Sequence, residues 1–585
     1  MQKGPKIARS PLPWIRHPHV PLLGLLCALS APTAQTNVPS PGQLAPKTHP
    51  LESQPQGPTV LLREPEQPAP AAGDQMKVTV SRFVLEDSDP KLLAIAARTL
   101  SPLSGHPVPL LEIYAAVAGV EQNYVDGGHF FTRIIVPPQH LRDGGELRLA
   151  VIHGFIEWVD VDDIPETLHT RVSAVLAPLL NNPSITRGAF ERALLVLNDI
   201  PNLKLKASLR PGPADGSVIL VLRGEYRAFT RELAIDNSLP ALLGQTSATL
   251  SVEYNSGSEP IDQLYLTASG PLTSNPFGSS SPRSLILGGL RSAVGISGAA
   301  IDANLTWSAT KPKSSQGTID TESTYQRGSL HGAFPLVKSR ASTLIAEATL
   351  DATSETQHAP QFGTTLYDDE LRVMRLGLAA DHVFSTRLQA SAGLKLSRGV
   401  HALGSRALSE ATVSDPLSQA GASDVFTKWE WRGALHSEVP VVRAALDLQL
   451  RGQRAGRPLL LSEKFTMGGP IDLSAYDAAS FSGDQGWVAR GELQRNLEGH
   501  LGAVNALAQA YLFAAHGEVE MRQPTAVERR TSVGSAVGVG ARASSLRRGF
   551  FRPVSLSAEL ARQTNPFSAA MPDHWRVSVS LTADF

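Results

Sequence analysis

Alternation of apolar and polar residues between residues 225 and 585 constrains the fold of this chain more than any other feature. In one stretch Leu446, Leu448 and Leu450 are separated by single polar residues. One apolar face and one polar face, with every backbone group paired in a closed sheet, are what a transmembrane β-barrel requires. At roughly 20 to 24 residues per strand and connection, this segment accommodates about 16 strands. A soluble β-sandwich is the alternative, and the mean hydropathy of -0.07 does not distinguish the two. The other apolar series are Leu250, Val252 and Tyr254; Leu264, Leu266 and Ala268; Ala390, Ala392, Leu394 and Leu396; Val442, Ala444 and Leu446; Val533, Val537, Val539 and Ala541; and Val554, Leu556, Ala558 and Leu560.

Residues 1–34 have the pattern of a secretory signal peptide. Basic residues precede an apolar run at residues 20–31, which is too short to cross a bilayer as a helix. No later window reaches the ~18 consecutive apolar residues of a membrane helix. We therefore expect an exported protein that is either soluble outside the cytoplasm or a membrane β-barrel. Cys27, the single cysteine, leaves with the signal peptide, so we expect neither a disulfide nor a cysteine metal site in the mature protein.

Residues 35–75 are rich in Pro, Gln, Ser and Thr, which predicts a mobile leader or linker. Two small modules of mixed helix and strand follow, at residues 76–153 and 154–224. In each, strand periodicity at both ends encloses two stretches with helical spacing. The strands expected at residues 130–136 in the first module and 204–209 in the second are candidate exposed sheet edges.

The second module has two predicted helices. Residues 168–180 form the first, and residues 186–197 form the second. In the second helix Phe190, Leu194 and Leu197 share one face with Ala193, which predicts one buried stripe. Three residues are expected outside that stripe: Glu191, Arg192 and Asn198.

Both modules resemble the POTRA domains of the two-partner secretion transporters, the family that includes haemolysin activators. In the first module, V-P-P-Q ending at Gln139 and D-G-G-E-L-R-L-A-V-I-H-G ending at Gly154 resemble the family's module ending. In the second, F-E-R-A-L-L-V-L-N-D-I-P contains Leu197, Asn198 and Pro201 and resembles the family's most recognisable run. The resemblance implies a mainly β protein, with two periplasmic POTRA domains before a barrel in the outer membrane of a Gram-negative bacterium. It also implies a leader helix that plugs the pore, although Pro and Gln disfavour that helix.

The loop at residues 463–487 (E-K-F-T-M-G-G-P-I-D-L-S-A-Y-D-A-A-S-F-S-G-D-Q-G-W) is unusual because its tip is apolar. Gly468, Gly469 and Pro470 end any strand, and Ile471, Leu473 and Tyr476 follow them. Apolar residues at a loop tip predict that the loop folds back into a cavity. An ordinary surface loop is the alternative.

This loop resembles the family's sixth extracellular loop, which folds into the pore and carries the pattern G-G-x-x-x-V-R-G-[YF]. Leu473 matches the valine and Tyr476 the aromatic residue, whereas Ser474 replaces the arginine and Ala475 replaces the glycine. Downstream, the run S-G-D-Q-G-W resembles the family's entry to the next strand. Its matching residues are Gly483, Asp484, Gly486 and Trp487.

The family's loop arginine is expected to pair with an aspartate of an F-x-D-x-G motif on the barrel wall. Here Phe513 and Gly517 match, but Ala515 stands at the aspartate's place. Losing both charges is nearly neutral, whereas keeping one alone costs roughly several kcal/mol. We therefore expect a loop without the arginine–aspartate latch, held by packing of Leu473 and Tyr476. Asp472 or Asp477 is a further candidate for a hydrogen bond to the wall.

The final residues alternate up to Phe585, with Trp575, Val577, Val579 and Leu581 on one face. A terminal aromatic residue on an alternating strand resembles the signal read by the barrel-assembly machinery of Gram-negative outer membranes. The resemblance implies that machinery as a partner in biogenesis, and outer-membrane lipid around the barrel.

The sequence contains no sign of catalytic or nucleic-acid chemistry. A net charge of -1 and 18% charged residues give no field that would attract nucleic acid. We find no H-x-x-x-H pair, no phosphate-binding loop and no G-x-S-x-G elbow, so we expect no metal, no cofactor and no enzyme activity.

The expected function is that of an outer-membrane transporter that captures an unfolded exoprotein in the periplasm and conducts it to the cell surface. Haemolysin or adhesin secretion, with or without activation, is the implied role. Capture would use β-augmentation at the module edges, residues 130–136 and 204–209. An assembly factor that inserts other barrels is one alternative, and a barrel-borne hydrolase is another.

Overall fold

A computed structural model describes residues 38–46, 60–61, 76–86, 90–140, 142, 144–258, 260–273, 275–313, 319–501, 504–526, 528–545, 554–564 and 575–585. The predicted signal peptide and Cys27 lie outside the described residues. None of the helices in the described part combines the length and the apolar character needed to cross a bilayer.

Two short elements belong to the leader. They are helix α1 (Pro41–Leu44) and strand β1 (Val60–Leu61). Ser40 begins α1 with a capping box, because its side chain accepts from the Gln43 backbone N–H and the Gln43 side chain accepts from the Ser40 N–H. Proline at the first helical position supplies a φ suited to the helix. Local capping thus offsets the low helix propensity of this stretch.

The first module contains β2 (Lys77–Glu86), α2 (Pro90–Leu100), β3 (Pro107–Pro109), α3 (Leu110–Asp126), β4 (Arg133–Ile135) and β5 (Gly145–Ile152). Its sheet has the order β3-β2-β5-β4, with β2 and β5 parallel. Both helices pack on one face of this sheet, around a core that includes Ile113, Val120, Tyr124, Leu147 and Leu149.

The second module contains β6 (Phe155–Asp163), α4 (Glu166–Leu176), α5 (Arg187–Asn198), β7 (Leu203–Pro211) and β8 (Ser217–Tyr226). Its sheet has the order β1-β7-β8-β6, so the leader strand β1 lies along β7. Phe190, Leu194 and Leu197 of α5 are at most 1% exposed, as the helical stripe predicts.

Several details of the modules differ from the sequence prediction. The helix expected at residues 168–180 ends at Leu176 and continues as a 3₁₀ turn, since Pro178 cannot donate a helical hydrogen bond. Asn198, expected to lie outside the buried stripe, is buried, and its Oδ1 accepts weakly from the Leu205 N–H at 3.5 Å. The strand expected at residues 130–136 covers only Arg133–Ile135.

The shortening of β4 has a physical reason. Phe130 and Phe131 turn towards the second module, where their rings lie 5.6 Å and 5.5 Å from the ring of Phe190. The Phe130 N–H also donates to the Ile185 carbonyl at 2.9 Å. Contact between modules therefore outweighs strand pairing at these two residues.

Sixteen antiparallel strands close into a barrel, which confirms the predicted fold class. Eleven of them precede the loop at residues 456–484, which is called the pore loop below. The first ten are β9 (Phe229–Asp236), β10 (Ser247–Ser258), β11 (Ile261–Pro271), β12 (Arg283–Val294), β13 (Ala299–Thr310), β14 (Glu322–Lys338), β15 (Ser342–Ala359), β16 (Thr364–Ser385), β17 (Leu388–Gly399) and β18 (Thr427–Val439). The eleventh is β19 (Ala444–Ala455), and the loop after it contains β20 (Phe465–Met467) and β21 (Phe481–Gly483). The last five are β22 (Gln485–Leu501), β23 (Val504–Glu520), β24 (Thr531–Ser545), β25 (Val554–Gln563) and β26 (Trp575–Asp584), and β26 pairs with β9 to close the ring.

Side chains alternate between the two faces of the barrel wall. Leu264, Leu350 and Leu512 point outwards and are 43%, 52% and 57% exposed in the isolated chain. Polar residues such as Asp351 and Glu559 face the interior and are buried there. An apolar outer face and a polar lumen are what a barrel in lipid requires.

The strand prediction is wrong for one residue. Val442 lies in the exposed 3₁₀ turn Pro440–Val442 between β18 and β19, not in a strand. Pro440 removes a ladder donor and Arg443 has a left-handed φ of 49°, so the chain turns there before the alternation resumes.

The second module is fixed to the barrel rim by polar contacts. Arg171 of α4 pairs with Asp262 of β11, and both side chains are largely buried. Arg192 of α5 donates to the carbonyl of Ser297, in the turn between β12 and β13, at 3.2 Å and to that of Pro335, near the end of β14, at 2.9 Å. These contacts hold the module against the barrel end at which β9 begins.

Replacing Asp262 with alanine should loosen the second module. The change leaves the Arg171 guanidinium buried without its partner, at a cost of about 3 to 5 kcal/mol. We expect faster hydrogen exchange in α4 and faster proteolytic release of the modules. Glu146→Ala is the control, because Glu146 and Arg82 form an exposed pair, worth less than about 1 kcal/mol. Equal effects of the two changes would contradict this prediction.

Candidate functional site

The loop between β19 and β22 folds into the barrel. Leu473, Ala475 and Tyr476 are 0%, 2% and 8% exposed, and they pack in one cluster with Phe513 and Ala515 of β23. The predicted tip and wall residues therefore meet in the structure. Ile471 is different: it is 76% exposed, so its expected burial is wrong.

Two glycines set the turn at the start of the tip. Gly468 and Gly469 have φ values of 119° and 92°, which side-chain-bearing residues rarely adopt. A Cβ on Gly468 would also lie 2.5 Å from the Asp477 carbonyl oxygen. Close approach of the two arms of the loop thus requires glycine here.

A buried ion cluster holds the first arm of the loop. Glu463 accepts two hydrogen bonds from Arg375 of β16, at 2.6 and 3.0 Å, and pairs with Lys428 of β18 at 2.9 Å. Lys428 is fully buried and Glu463 is 2% exposed. Two cations on the wall therefore fix one loop carboxylate, and removing either would leave buried charge unbalanced.

Asp484, from the S-G-D-Q-G-W run, holds the second arm. Its carboxylate accepts from the backbone N–H groups of Leu459 and Arg522, at 2.8 and 2.7 Å. Its own N–H donates to the Glu520 carbonyl at 2.9 Å. One fully buried side chain thus ties the loop start, the loop end and the neighbouring loop together.

The other predicted motif residues lie around Asp484. Gly483, Gly486 and Gly517 occupy crowded backbone positions; a Cβ on Gly517 would lie 2.7 Å from the Met467 sulfur. Trp487 is 38% exposed and points to the outer face of the barrel. Phe513 faces inwards, beneath the Arg490 guanidinium at 3.9 Å from its ring centre.

An arginine does reach the loop tip, but it comes from the wall. Arg490 of β22 donates to the Ser474 hydroxyl at 3.2 Å and pairs with Glu559 of β25 at 2.6 Å and Glu492 at 2.8 Å. Arg490 is also the ladder partner of Ala515. The wall beside Ala515, which was expected to lack charge, therefore carries the Arg490 guanidinium. Two glutamates neutralise its charge, and the Ser474 hydroxyl accepts a hydrogen bond from it.

The family's latch of a loop arginine and a wall aspartate is absent, because Ser474 and Ala515 stand at the two places, and both candidate acids of the loop bond to the wall. Asp472 of the loop forms a two-point ion pair with Arg451 of β19, whose guanidinium also donates to the Thr466 carbonyl at 2.7 Å. Asp477 pairs with Arg576 of β26 at 2.6 Å. The pairs have the opposite polarity to the family pattern, since the acid is on the loop and the base on the wall.

Burial shifts the pKa of two charged groups on the loop. It raises the pKa of Asp477, and the nearby Arg576 only partly offsets that effect. It lowers the pKa of Lys464, whose ammonium group donates to the Gln419 side chain at 2.6 Å. Both directions are those expected when a charged group leaves water.

The leader helix α1 also lies inside the barrel. Its Gly42 N–H donates to Glu355 of β15 at 3.1 Å, and the Gln43 side chain donates to the Ser482 hydroxyl of the loop at 2.8 Å. Ala45 packs with inward-facing residues, namely Tyr265, Leu285, Leu287 and Tyr325. The leader and the loop thus share the lumen and touch each other.

The predicted motif residues of the two modules stabilise the module structure by hydrogen bonding and packing. The Gln139 side chain bonds both the N–H and the carbonyl of Arg148, at 3.0 and 2.8 Å, and so continues the pairing of β5 beyond the end of β4. Leu197 is fully buried, and Pro201 lies in the turn before β7. A Cβ on Gly154 would lie 2.3 Å from the Phe131 carbonyl oxygen.

The end of the chain lies at the junction of β26 with β9. The backbone N–H of Phe585 donates to the Arg231 carbonyl at 3.0 Å. Recognition of this residue by an assembly machinery remains a prediction from its sequence.

Among the described residues, no cluster of three or more His, Cys, Asp or Glu side chains could hold a metal ion.

Ser405, His401 and Asp424 meet in the loop between β17 and β18. Ser405 donates to Asp424 at 2.9 Å, and His401 contacts the same carboxylate oxygen at 2.6 Å. His401 Nδ1 lies 3.4 Å from the Ser405 hydroxyl and 2.6 Å from the carboxylate, so Asp424 is its nearer partner. The hydrogen bond to Asp424 raises the pKa of His401.

Comparison with protein families decides the identity of the chain. The model for the haemolysin secretion/activation protein ShlB/FhaC/HecB matches residues 215–541, and the model for the ShlB-type POTRA domain matches residues 78–154. The chain belongs to the ShlB/FhaC/HecB family. It is therefore an outer-membrane transporter of the two-partner secretion type, with POTRA domains in the periplasm. A search of curated proteins finds no match.

Solved structures share the fold of this ShlB/FhaC/HecB member at low identity. CdiB from Escherichia coli is 18% identical, with a TM-score of 0.66 over 92% of this chain and 94% of that one. CdiB from Acinetobacter baumannii is 16% identical, with a TM-score of 0.58 over 94% and 95%. BamA from Haemophilus ducreyi lacking POTRA domains 1-3 is 10% identical, with a TM-score of 0.50 over 87% and 100%.

Sequence reasoning missed the wall partners of the loop. Arg451 and Arg576 each occupy an inward position of an alternating strand, so their direction could be inferred from the pattern. Which loop carboxylate each one meets depends on how far the loop descends, and the strand pattern carries no information on that depth.

Reversing the charge of Asp472 should release the loop tip, and reversing Arg451 as well should restore it. Asp472→Arg places two guanidinium groups together in a partly buried site. We expect limited proteolysis of the loop to accelerate about tenfold, which corresponds to about 1.4 kcal/mol. The double variant Asp472→Arg with Arg451→Asp should recover most of the protection. Glu528→Ala, in the neighbouring extracellular loop, is the control; no rescue by the double variant would contradict the pairing.

Proposed function

We propose that this transporter captures an unfolded exoprotein with its POTRA domains and conducts it through the barrel lumen to the cell surface. One observation carries the proposal: the polar lumen is filled by two segments, the pore loop and α1, that are bonded to the wall and not part of it. Because neither segment is a strand of the wall, both can leave the lumen while the backbone hydrogen bonds between the barrel strands stay intact. Secretion of a haemolysin or an adhesin, with or without activation, is the proposed role.

Capture by strand addition has two candidate edges in the modules. Strand β4 has a single neighbour, β5, among the described residues, but the Ile134 N–H already donates to the Glu121 carboxylate at 2.9 Å. An extended chain that adds to Arg133–Ile135 must therefore displace that carboxylate. The other expected edge, residues 204–209, is not free. Strand β7 pairs with β8 on one side and with Val60–Leu61 of the leader on the other. An exoprotein that adds to β7 must first displace the leader there.

The drive for transport has to come from the exoprotein. The sequence has no nucleotide-binding motif, so an energy-coupled step on this chain is not part of the proposal. Folding of the exported chain outside the cell removes the unfolded form on one side of the membrane, and that removal biases its diffusion outwards.

The single hydrogen-bonded turn of α1 is proposed as a plug. Among the described residues, one hydrogen bond connects α1 to the Glu355 side chain of the wall and one connects it to the Ser482 side chain of the loop, and such bonds contribute about 1 kcal/mol each. A plug held by so few contacts can leave the lumen without large cost when the leader is pulled.

The variant Gly42→Val should open the pore. Any Cβ at Gly42 would lie 2.7 Å from a Glu355 carboxylate oxygen and 2.9 Å from the Tyr325 ring, so either α1 or these wall side chains must shift, and the larger valine side chain favours a shift of α1. In planar bilayers we expect a larger open-state fraction than in the unmodified protein. The matched control is Gly188→Val, because no atom lies within 4 Å of a Cβ there. Equal conductance of the two variants would argue against the plug.

A deletion strain tests the function as a whole. Loss of the gene should remove the exoprotein from the cell surface while other outer-membrane barrels keep their normal abundance. Complementation with the unmodified chain should restore secretion. The alternative, a barrel-assembly factor, requires the opposite result: other barrels would decline and no single exoprotein would be lost.

A further inference from the structure

An apolar groove of about 800 Å³ lies on the outer face of the barrel, along strands β11 to β16. Its floor includes Gly328 of β14 and Ala352 of β15, which are ladder partners. Both positions lie on the outward face, because Ala352 is two residues from the outward-pointing Leu350. A Cβ on Gly328 would have a single neighbour within 4 Å, a Leu305 methyl carbon at 3.6 Å, so the floor has room for another group.

Apolar side chains form one border of this groove. They belong to a single row of ladder partners that crosses the wall from β12 to β16, namely Leu290, Ala303, Leu330, Leu350 and Met374. Leu330, Leu350 and Met374 are 49%, 52% and 52% exposed in the isolated chain. In a bilayer, acyl chains cover an outward surface of this kind.

The loop between β17 and β18 covers one end of the groove. The Val400 N–H donates to the Arg372 carbonyl at 2.9 Å, and Arg372 Nε donates to the Leu403 carbonyl at 2.9 Å. Leu403 lines the groove and is 87% exposed. Arg372 therefore holds an apolar loop residue against the lipid-facing side of the wall.

The row of apolar border residues ends in a charged one. Arg398 of β17 is the ladder partner of Met374, so it also points outwards, and it is exposed. Strand β17 is the ninth of the barrel and therefore runs in the direction of β9, away from the modules. Arg398 lies one residue before its extracellular end, where a long side chain reaches the level of the lipid headgroups. Within the described part of the chain, Arg398 forms neither an ion pair nor a hydrogen bond.

A second outward guanidinium lies two strands further along the wall. Arg454 of β19 is exposed and is the ladder partner of Trp429 of β18, which is itself 45% exposed. Aromatic residues in such positions mark the interface between membrane and water. Two strand spacings place the backbones of Arg398 and Arg454 on the order of 10 Å apart, on either side of Trp429.

The carboxylates on the same face have arginine partners of their own. Glu370 pairs with Arg372 at 3.1 Å, and Asp368 lies 3.8 Å from the Arg406 guanidinium. Neither of them pairs with Arg398. The extracellular end of the groove therefore presents positive charge that suits an anionic group.

We propose that the groove binds one phosphorylated lipid of the outer leaflet, with an acyl chain along the leucine row and a phosphate group on Arg398. A guanidinium suits phosphate because it can donate two parallel hydrogen bonds as well as charge. The lipid that forms the outer leaflet of Gram-negative bacteria, the anchor of lipopolysaccharide, carries several acyl chains and more than one phosphate. A lipid of this class fills the groove, and its second phosphate binds Arg454.

The site is independent of the proposed transport function. It lies on the outer face of the wall, whereas the pore loop and α1 occupy the lumen. Arg398 and Arg454 bind the lipid directly, and Arg372 is a positioning residue that acts through the Leu403 backbone. Failure of the lipid test would leave the secretion proposal untouched, and failure of secretion would leave the lipid site untouched.

Native mass spectrometry of the full chain tests the site. Protein released from phosphatidylcholine nanodiscs that contain a small share of diphosphorylated lipid A should retain one lipid A molecule. Arg398→Gln should lower retention roughly tenfold, the loss expected for a charge-assisted hydrogen bond to phosphate. Ala352→Leu fills the floor of the groove and should lower retention severalfold.

Two matched controls separate the site from the rest of the wall. Arg495 of β22 also points outwards, is exposed and has no ion pair within the described ranges, but it lies nearer to the periplasmic end of its strand. Arg495→Gln should leave retention unchanged. Ala541→Leu adds the same bulk as Ala352→Leu to the outward face of β24 and should also have no effect. Retention of the heat-modifiable gel shift shows that each variant forms a barrel.

Three results would overturn the proposal. The first is equal retention of lipid A in Arg398→Gln and Arg495→Gln. The second is equal retention of phosphatidylglycerol, because the surface would then accept any anionic lipid. The third is a dimer without bound lipid, because a second copy of the chain would then cover the groove.

Discussion

Complete pairing of backbone groups within the membrane is the constraint on which the rest of this structure depends. Because lipid offers no hydrogen bonds, the sheet must close, and closure turns a two-residue period into an apolar outer wall and a polar lumen. A polar lumen of sixteen strands does not fill itself with its own wall side chains. The chain fills much of the remaining space with a loop and a leader helix, and both are held by ionic and hydrogen-bonding contacts.

Those contacts are concentrated at a few buried charges. Glu463 pairs with two cations of the wall, and Asp484 accepts from backbone N–H groups at the start of its own loop and in one neighbouring loop. At the loop tip the acids belong to the loop and the arginines to the wall. Exchange of the two partners preserves the attraction between loop and wall, because Coulomb energy depends on the product of the charges and not on which side carries which.

Sequence reasoning recovered the elements whose pattern repeats. The barrel wall followed from a period of two residues, its strand number from the length of the segment, and the helices of both modules from a period of 3.6 residues. It failed where an interaction with a distant segment outweighed a local preference. Phe130 and Phe131 have strand propensity but pack against Phe190 instead.

The candidate site shows the same division. Burial of Leu473 and Tyr476 was expected from an apolar loop tip, but Ile471 in the same stretch is exposed. The partners of Asp472 and Asp477 come from strands β19 and β26, which lie on opposite sides of the loop in the chain. Pairings of that kind depend on three-dimensional placement, so a single sequence does not specify them.

The aromatic contact between the modules has a mechanical consequence. Phe130 and Phe131 lie against Phe190, and there is no room for a side chain on Gly154 where the modules join. A packed interface of this kind resists bending, so the two modules move as one rigid unit. A force applied to the first module therefore acts as a torque on the contacts between the second module and the barrel rim.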